Sequence, residues 1–158
     1  MNQIVTKVLL IGLFLINANC GFKVLDKSKI NNFHIKEIQT FGNNRINYKI
    51  KNYLLINSSK NNENILSINL RTKKNKNIKE KNIKNEITKY EVLIESNLDF
   101  ISINDGNNYN IKVSSKGDYL VADNYSTTLS NEKKLVDDLI EDISQQILDE
   151  IGLKLNDI

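Results

Sequence analysis

Proline and tryptophan are absent from this chain of 158 residues, and cysteine and histidine each occur once. Because Cys20 is the only cysteine, no disulfide can form within the chain. A zinc site made of cysteine and histidine needs more ligands than Cys20 and His34 supply, which excludes that class of metal site. His34 is also the one imidazole available as a catalytic base, and a strand histidine that faces solvent is far more common than a catalytic one. We therefore predict a protein that is not an enzyme, with no catalytic residues, no metal site and no cofactor.

The overall composition indicates one folded domain. Hydrophobic residues make up 40% of the chain, which is too many for disorder throughout. The 22 basic and 19 acidic residues give a formal net charge of +3, which is too small to indicate a partner by itself. The distribution of the charges along the chain is more informative than their sum.

The N-terminal residues have the pattern of a secretory signal peptide. An apolar run over residues 8–16 follows a weakly positive start. A run this short cannot span a membrane as a helix, which needs about 20 residues. A lone cysteine directly after such a run, here Cys20, is the arrangement of a bacterial lipobox. We predict a signal peptide over residues 1–19, a lipid on Cys20 and a single domain over residues 20–158; the alternative is cleavage near Ala18 that leaves an unmodified thiol.

Periodic apolar residues predict four strands and two helices in the order β-α-β-β-β-α. The predicted elements are strand 33–38, helix 45–57, strand 65–74, strand 87–103, a strand from Tyr109 that resumes at Tyr119 after Gly117, and a helix from Ser130 to Gly152. Asn43 or Asn44 is the expected N-cap of the first helix and Ser130 that of the second, which places Glu132 in the first turn.

The first helix is long enough to connect two parallel strands, so the first two strands are predicted to pair in parallel. Two amphipathic helices can cover one face of a sheet whose strands alternate in polarity. The predicted fold is therefore an α+β, two-layer sandwich, with a four-stranded mixed sheet covered by two helices.

Four segments of the chain carry a resemblance to a known family. These segments are Cys20–Phe22, Thr88–Val92, Tyr119–Thr127 and Lys133–Ile147. In their order and spacing they resemble the opening of the mature chain, a strand start, a strand end and the last helix of the LPS-assembly lipoprotein family (LptE). Members of that family are the small lipoprotein partner of the outer-membrane barrel that inserts lipopolysaccharide.

The resemblance implies an outer-membrane lipoprotein on the periplasmic side, which plugs the lumen of a large β-barrel, helps it to assemble and binds lipopolysaccharide. The expected partners are that barrel, lipopolysaccharide and the membrane, which is reached through the N-terminal lipid. No nucleic-acid partner is expected, because the signal directs the chain out of the cytoplasm and no aromatic residues interleave the lysines. The alternative is an auxiliary lipoprotein of another envelope lipid-transport system.

A basic segment from Lys73 to Lys84 is the local feature that indicates a ligand. Lysine ammoniums can pair with the phosphates of lipid A. Ile78 and Ile83 lie among the lysines and can meet acyl chains. The predicted phosphate-binding residues are Lys73, Lys74, Lys76 and Lys79. The alternative interpretation is a solvated loop rich in lysine and asparagine.

Overall fold

The computed structural model describes residues 33–60 and 62–156. The predicted signal peptide and Cys20 lie outside these residues. The elements are β1 (His34–Gly42), α1 (Asn44–Ile56), β2 (Ile65–Lys81), β3 (Ile87–Ser102), β4 (Asn108–Leu120) and α2 (Tyr125–Asn156). This order confirms the predicted β-α-β-β-β-α arrangement. Neither α1 nor α2 is both long enough and apolar enough to cross a membrane.

The four strands form one mixed sheet in the order β1-β2-β3-β4. β1 and β2 are parallel, as predicted, with Ile38 opposite Ile68. The other two neighbouring pairs are antiparallel. A register shift between Ile35 and Glu37 marks an irregularity in β1, which shortens the regular part of that edge strand.

Both helices pack on the same face of the sheet, so these elements form two layers. No element of residues 33–60 and 62–156 covers the opposite face, which is the open sheet face. The buried strand residues that meet the helices alternate along each strand, as the half-buried pattern predicts. The buried apolar side chains of α2 are Val136, Leu139, Ile140, Ile143, Ile147, Leu148 and Ile151. In α1, Ile46, Ile50 and Leu54 are buried, whereas Ile56 at the end of the helix is 83% exposed.

The turn between β1 and α1 depends on a glycine. Gly42 has φ +93°, and a Cβ atom on it would lie 2.1 Å from the carbonyl oxygen of Thr72. That oxygen accepts a hydrogen bond from the backbone N–H of Asn43. The side chain of Asn43 then accepts a hydrogen bond of 3.2 Å from the Ile46 N–H, which confirms Asn43 as the N-cap of α1.

The predicted bounds of α2 are wrong at both ends. The helix begins at Tyr125 rather than after Ser130, and Asn124 Oδ1 accepts a hydrogen bond of 2.8 Å from the Ser126 N–H in its first turn. Glu132 is therefore two turns inside the helix and not in its first turn. Gly152 is buried within the helix, which continues because Leu155, one turn further on, packs against the core.

β2 is longer than predicted and includes most of the basic segment. Its antiparallel pairing with β3 continues as far as Lys81 opposite Ile87. The hairpin then turns over residues 82–86, where the side chain of Asn82 accepts hydrogen bonds from two backbone N–H groups and Asn85 has φ 64°. The basic segment, for which a solvated loop was the alternative interpretation, is therefore a strand up to Lys81, because backbone groups of β3 pair with it.

Candidate functional site

The structure does not bring the four predicted lysines together on one face. Lys74 and Lys76 lie on the side of β2 that faces α2. The Nζ atom of each forms an ion pair of 2.7 Å with a carboxylate oxygen of Glu132. Lys73 is exposed on the open face, as the alternation of β2 requires. Lys79 forms an ion pair of 2.8 Å with Asp118 of β4. The predicted role of these lysines in phosphate binding stays a prediction.

Glu132 is the centre of a polar cluster between the hairpin and α2. Besides its ion pairs with Lys74 and Lys76, Glu132 accepts a hydrogen bond of 2.8 Å from the Tyr119 hydroxyl. Lys76 Nζ lies 4.2 Å from the centroid of the Tyr90 ring and 5.3 Å from that of Tyr119. The two rings are stacked, with centroids 5.7 Å apart. Cation–π and charge-assisted hydrogen bonds therefore attach the hairpin to α2.

The cluster shifts the pKa values of its members. Burial alone would raise the pKa of Glu132, but the hydrogen bonds that it accepts from Lys74 and Lys76 lower it to about 2. Burial alone would lower the pKa of Lys76, but its hydrogen bond to Glu132 raises it to about 12. Burial raises the pKa of the Tyr119 hydroxyl. Around neutral pH the carboxylate is therefore charged and already neutralised by protein cations.

The end of the β2–β3 hairpin presents apolar and basic side chains to solvent. Ile83 is fully exposed in the turn and Ile78 is 51% exposed on β2, as the sequence predicted. Lys81 and Lys84 flank Ile83, and Lys81 bonds the side chain of Asn85. A fully exposed isoleucine between lysines is suited to contact with an anionic amphiphile.

The open sheet face carries two adjoining cavities. The larger, of about 430 Å³, is lined by three cations, Arg71, Lys73 and Lys112, with Glu95 as its carboxylate. The smaller, of about 340 Å³, is lined by Gln39, Phe41, Asn69, Arg71, Asn97 and Asp99. Arg71 and Asn97 belong to both cavities. The guanidinium of Arg71 lies 5.7 Å from the centroid of the Phe41 ring.

Sequence reasoning missed Arg71 and Lys112 as candidate ligand residues. Arg71 lies opposite Asn97, and Asn97 lies opposite Lys112 on the next strand. The strand alternation does place each of them on the open face. The pairing register, which sets the three side chains in one row across the sheet, is a tertiary property that the alternation does not contain.

The described residues contain no group of three His, Cys, Asp or Glu side chains placed to hold a metal ion. His34 begins β1, and its backbone N–H donates a hydrogen bond of 2.7 Å to the Asn64 carbonyl. Its Nδ1 is buried and has no hydrogen-bond partner within the described part of the chain. The backbone hydrogen bond therefore positions His34 at the start of β1.

No protein-family model and no curated protein sequence matches this chain. Solved structures do match it. Rare lipoprotein B from Shewanella oneidensis matches with a TM-score of 0.52 and 12% identity, over 78% of this chain and 94% of that one.

Two further structures match at a similar level. A minor lipoprotein from Acinetobacter baumannii has a TM-score of 0.51 and 15% identity, over 79% of this chain and 95% of that one. An uncharacterized lipoprotein B from Nitrosomonas europaea has a TM-score of 0.54 and 12% identity, over 79% of this chain and 84% of that one. At these identities the similarity shows that the chain shares the fold of these lipoproteins.

Proposed function

We propose that this chain is an outer-membrane lipoprotein of the LPS-assembly kind, anchored through Cys20 on the periplasmic side. In this proposal it plugs the barrel that inserts lipopolysaccharide, helps that barrel to assemble and binds lipopolysaccharide. The shared fold is the observation that carries the proposal, because three proteins named as lipoproteins share it over about four fifths of this chain. The role proposed is binding and not catalysis.

The N-terminal sequence supports the lipid anchor. Residues 8–16 are apolar, and Cys20 follows them after a few small and polar residues. A single acyl chain holds a protein to a membrane only marginally, whereas several hold it stably. A diacylglycerol on the Cys20 thiol supplies two chains, which is the number that stable attachment requires.

The open sheet face supports a position inside a barrel. Its side chains include many charged groups and amides, such as Arg71, Asn97 and Lys112. The interior of an outer-membrane barrel is polar, in contrast to its lipid-facing outside. A protein that fills such a lumen needs a polar surface with many hydrogen-bonding groups, and this face provides one.

The hairpin end supports lipopolysaccharide binding. Ile78 and Ile83 offer apolar contact to acyl chains, and Lys81 and Lys84 offer charge to phosphates. These residues occupy one end of the molecule, so both chemistries are available to a single amphiphilic ligand.

Affinity capture from native outer membranes tests the proposed function. A tagged full chain is extracted in mild detergent and the proteins that come with it are identified by mass spectrometry. A large outer-membrane β-barrel is the expected partner. Capture of an inner-membrane transporter without a barrel would instead support an auxiliary lipoprotein of another lipid-transport system.

A further inference from the structure

The larger cavity of the open sheet face has an excess of positive charge. None of its cations, Arg71, Lys73 and Lys112, forms an ion pair within the described residues. Lys73 lies opposite Glu95 in the strand register, yet Glu95 accepts a hydrogen bond of 3.2 Å from Asn75 instead. Three cations facing a single carboxylate leave a net positive charge for an anion to neutralise.

The spacing of these cations fits one phosphate group. Arg71 and Lys112 lie on either side of Asn97, on strands two positions apart, so their Cα atoms are about 10 Å apart. Lys73 is two residues from Arg71 on the same face, about 7 Å along the strand. Long side chains can converge from these positions on an anion between them. An arginine fork and two ammoniums match the several oxygens of a phosphate.

The adjoining cavity has a different chemistry. Gln39 and Asn69 offer amide donors and acceptors, Asn97 offers its amide N–H groups, and Asp99 offers the carboxylate oxygen that does not accept a hydrogen bond from Asn110. Phe41, which is 47% exposed, provides an aromatic surface beside them. The hydroxyl groups of a sugar ring can donate hydrogen bonds to such a carboxylate and form hydrogen bonds with such amides. One apolar face of the sugar ring can pack on the Phe41 side chain. This combination is suited to a sugar.

We propose that the open sheet face binds a phosphorylated saccharide. Arg71, Lys73 and Lys112 hold the phosphate, and the cavity beside Phe41 and Asn97 holds the sugar ring. The inference rests on the proposed function, because it names the phosphorylated sugar as the portion of the glycolipid that this face recognises. Of the four lysines singled out in the sequence, Lys73 is the one that lines this site.

Titration of the full chain in non-ionic detergent, followed through its backbone amide NMR signals, tests the site. The probes are glucose 1-phosphate, glucose and inorganic phosphate. Glucose 1-phosphate is expected to shift the amides of both cavities and to bind more tightly than either of the other probes. Arg71→Gln is expected to weaken its binding about tenfold, because a charge-assisted hydrogen bond is lost.

Lys116→Gln is the matched control. Lys116 lies on the same strand and face as Lys112 but does not line the cavity. Its substitution is expected to change the dissociation constant by less than about twofold, since only distant, screened charge is removed. Equal losses for Arg71→Gln and Lys116→Gln would overturn the site in favour of diffuse charge. Unchanged melting curves for both variants show that each remains folded.

Two further outcomes separate this inference from the proposed function. If inorganic phosphate binds as tightly as glucose 1-phosphate, the saccharide site is overturned. If none of the probes binds while the barrel still co-purifies, the site is overturned and the proposed function stands. If glucose 1-phosphate binds at Arg71 and no barrel is captured, the site stands and the proposed function fails.

Discussion

Glu132 of α2 and Lys76 of β2 are 56 residues apart in the chain, and their charged atoms lie 2.7 Å apart in the fold. The ion pair connects the β2–β3 hairpin to the helix layer. Lys74 makes a second bond of the same length to the same carboxylate. Glu132 thus compensates two cations that would otherwise lie half-buried beside each other.

Glu132→Gln is expected to lower the free energy of unfolding by about 2 kcal/mol at neutral pH, because Lys74 and Lys76 lose their counter-charge. Urea unfolding followed by circular dichroism measures the change. Glu141→Gln is the matched control, since Glu141 is exposed on the same helix and forms no ion pair among the described residues. The control is expected to stay within about 0.5 kcal/mol of the unmodified chain. An equal loss in both variants would contradict a specific role for Glu132.

The contribution of Glu132 is expected to depend on pH in the acid range. Its pKa in the folded protein is about 2, below its ordinary value of 4.5. A depressed carboxyl pKa contributes stability that is fully present above pH 4.5 and is lost as the pH falls towards 2. The stability difference between the unmodified chain and Glu132→Gln is therefore expected to shrink between pH 5 and pH 2. A stability difference that stays constant between pH 5 and pH 2 would show that the pKa of Glu132 is not lowered in the folded protein.

The fold was predictable from local patterns because alternation and the helical period act over a few residues. The buried face of α2, from Val136 to Ile151, and the alternation of β3 both follow from such patterns. The start of α2 was not predicted because Ser130 and Asn124 are both good caps, and the choice between them depends on the contacts of the preceding turn. Thr128, for example, bonds the backbone of Ala122 there.

The candidate site was predictable only in part, because it depends on contacts between distant strands. The basic segment was visible in the sequence, but its neutralisation by Glu132 and Asp118 was not. The row formed by Arg71, Asn97 and Lys112 depends on the register of three strands. The residue pattern within one strand does not determine which side chain of the next strand lies opposite.

Gly42→Ala is expected to destabilise the protein by about 3 kcal/mol. Its φ of +93° disfavours any side chain, and the added Cβ would meet the Thr72 carbonyl oxygen. Gly106→Ala is the control, because Gly106 also has a positive φ but has open space around it. That variant is expected to lose about 1 kcal/mol from backbone strain alone. Thermal unfolding of the two variants separates the effect of the steric clash at Gly42 from that of backbone strain. Equal losses of stability in the two variants would exclude the clash.

Cys20→Ser is expected to release the protein from membranes into the soluble periplasmic fraction. Serine has no thiol to carry a diacylglycerol, so the variant would lack the acyl groups that the proposed function assigns to Cys20. Fractionation and immunoblotting measure the distribution. A variant that stays in the membrane fraction after a high-salt wash would show that the anchor is not at this residue.

Ile83→Ser is expected to weaken binding to lipopolysaccharide micelles about tenfold, because a fully exposed isoleucine that inserts among acyl chains contributes its apolar area to the complex. Ile56→Ser is the matched control: Ile56 is also highly exposed, but it lies at the end of α1 rather than on the hairpin. Both positions are open to solvent, so neither change should alter the free energy of unfolding by more than about 0.5 kcal/mol. Surface plasmon resonance on immobilised protein compares the two affinities. An equal effect at both positions would indicate that micelles adsorb to any exposed apolar residue, and the hairpin would then have no particular part in lipid contact.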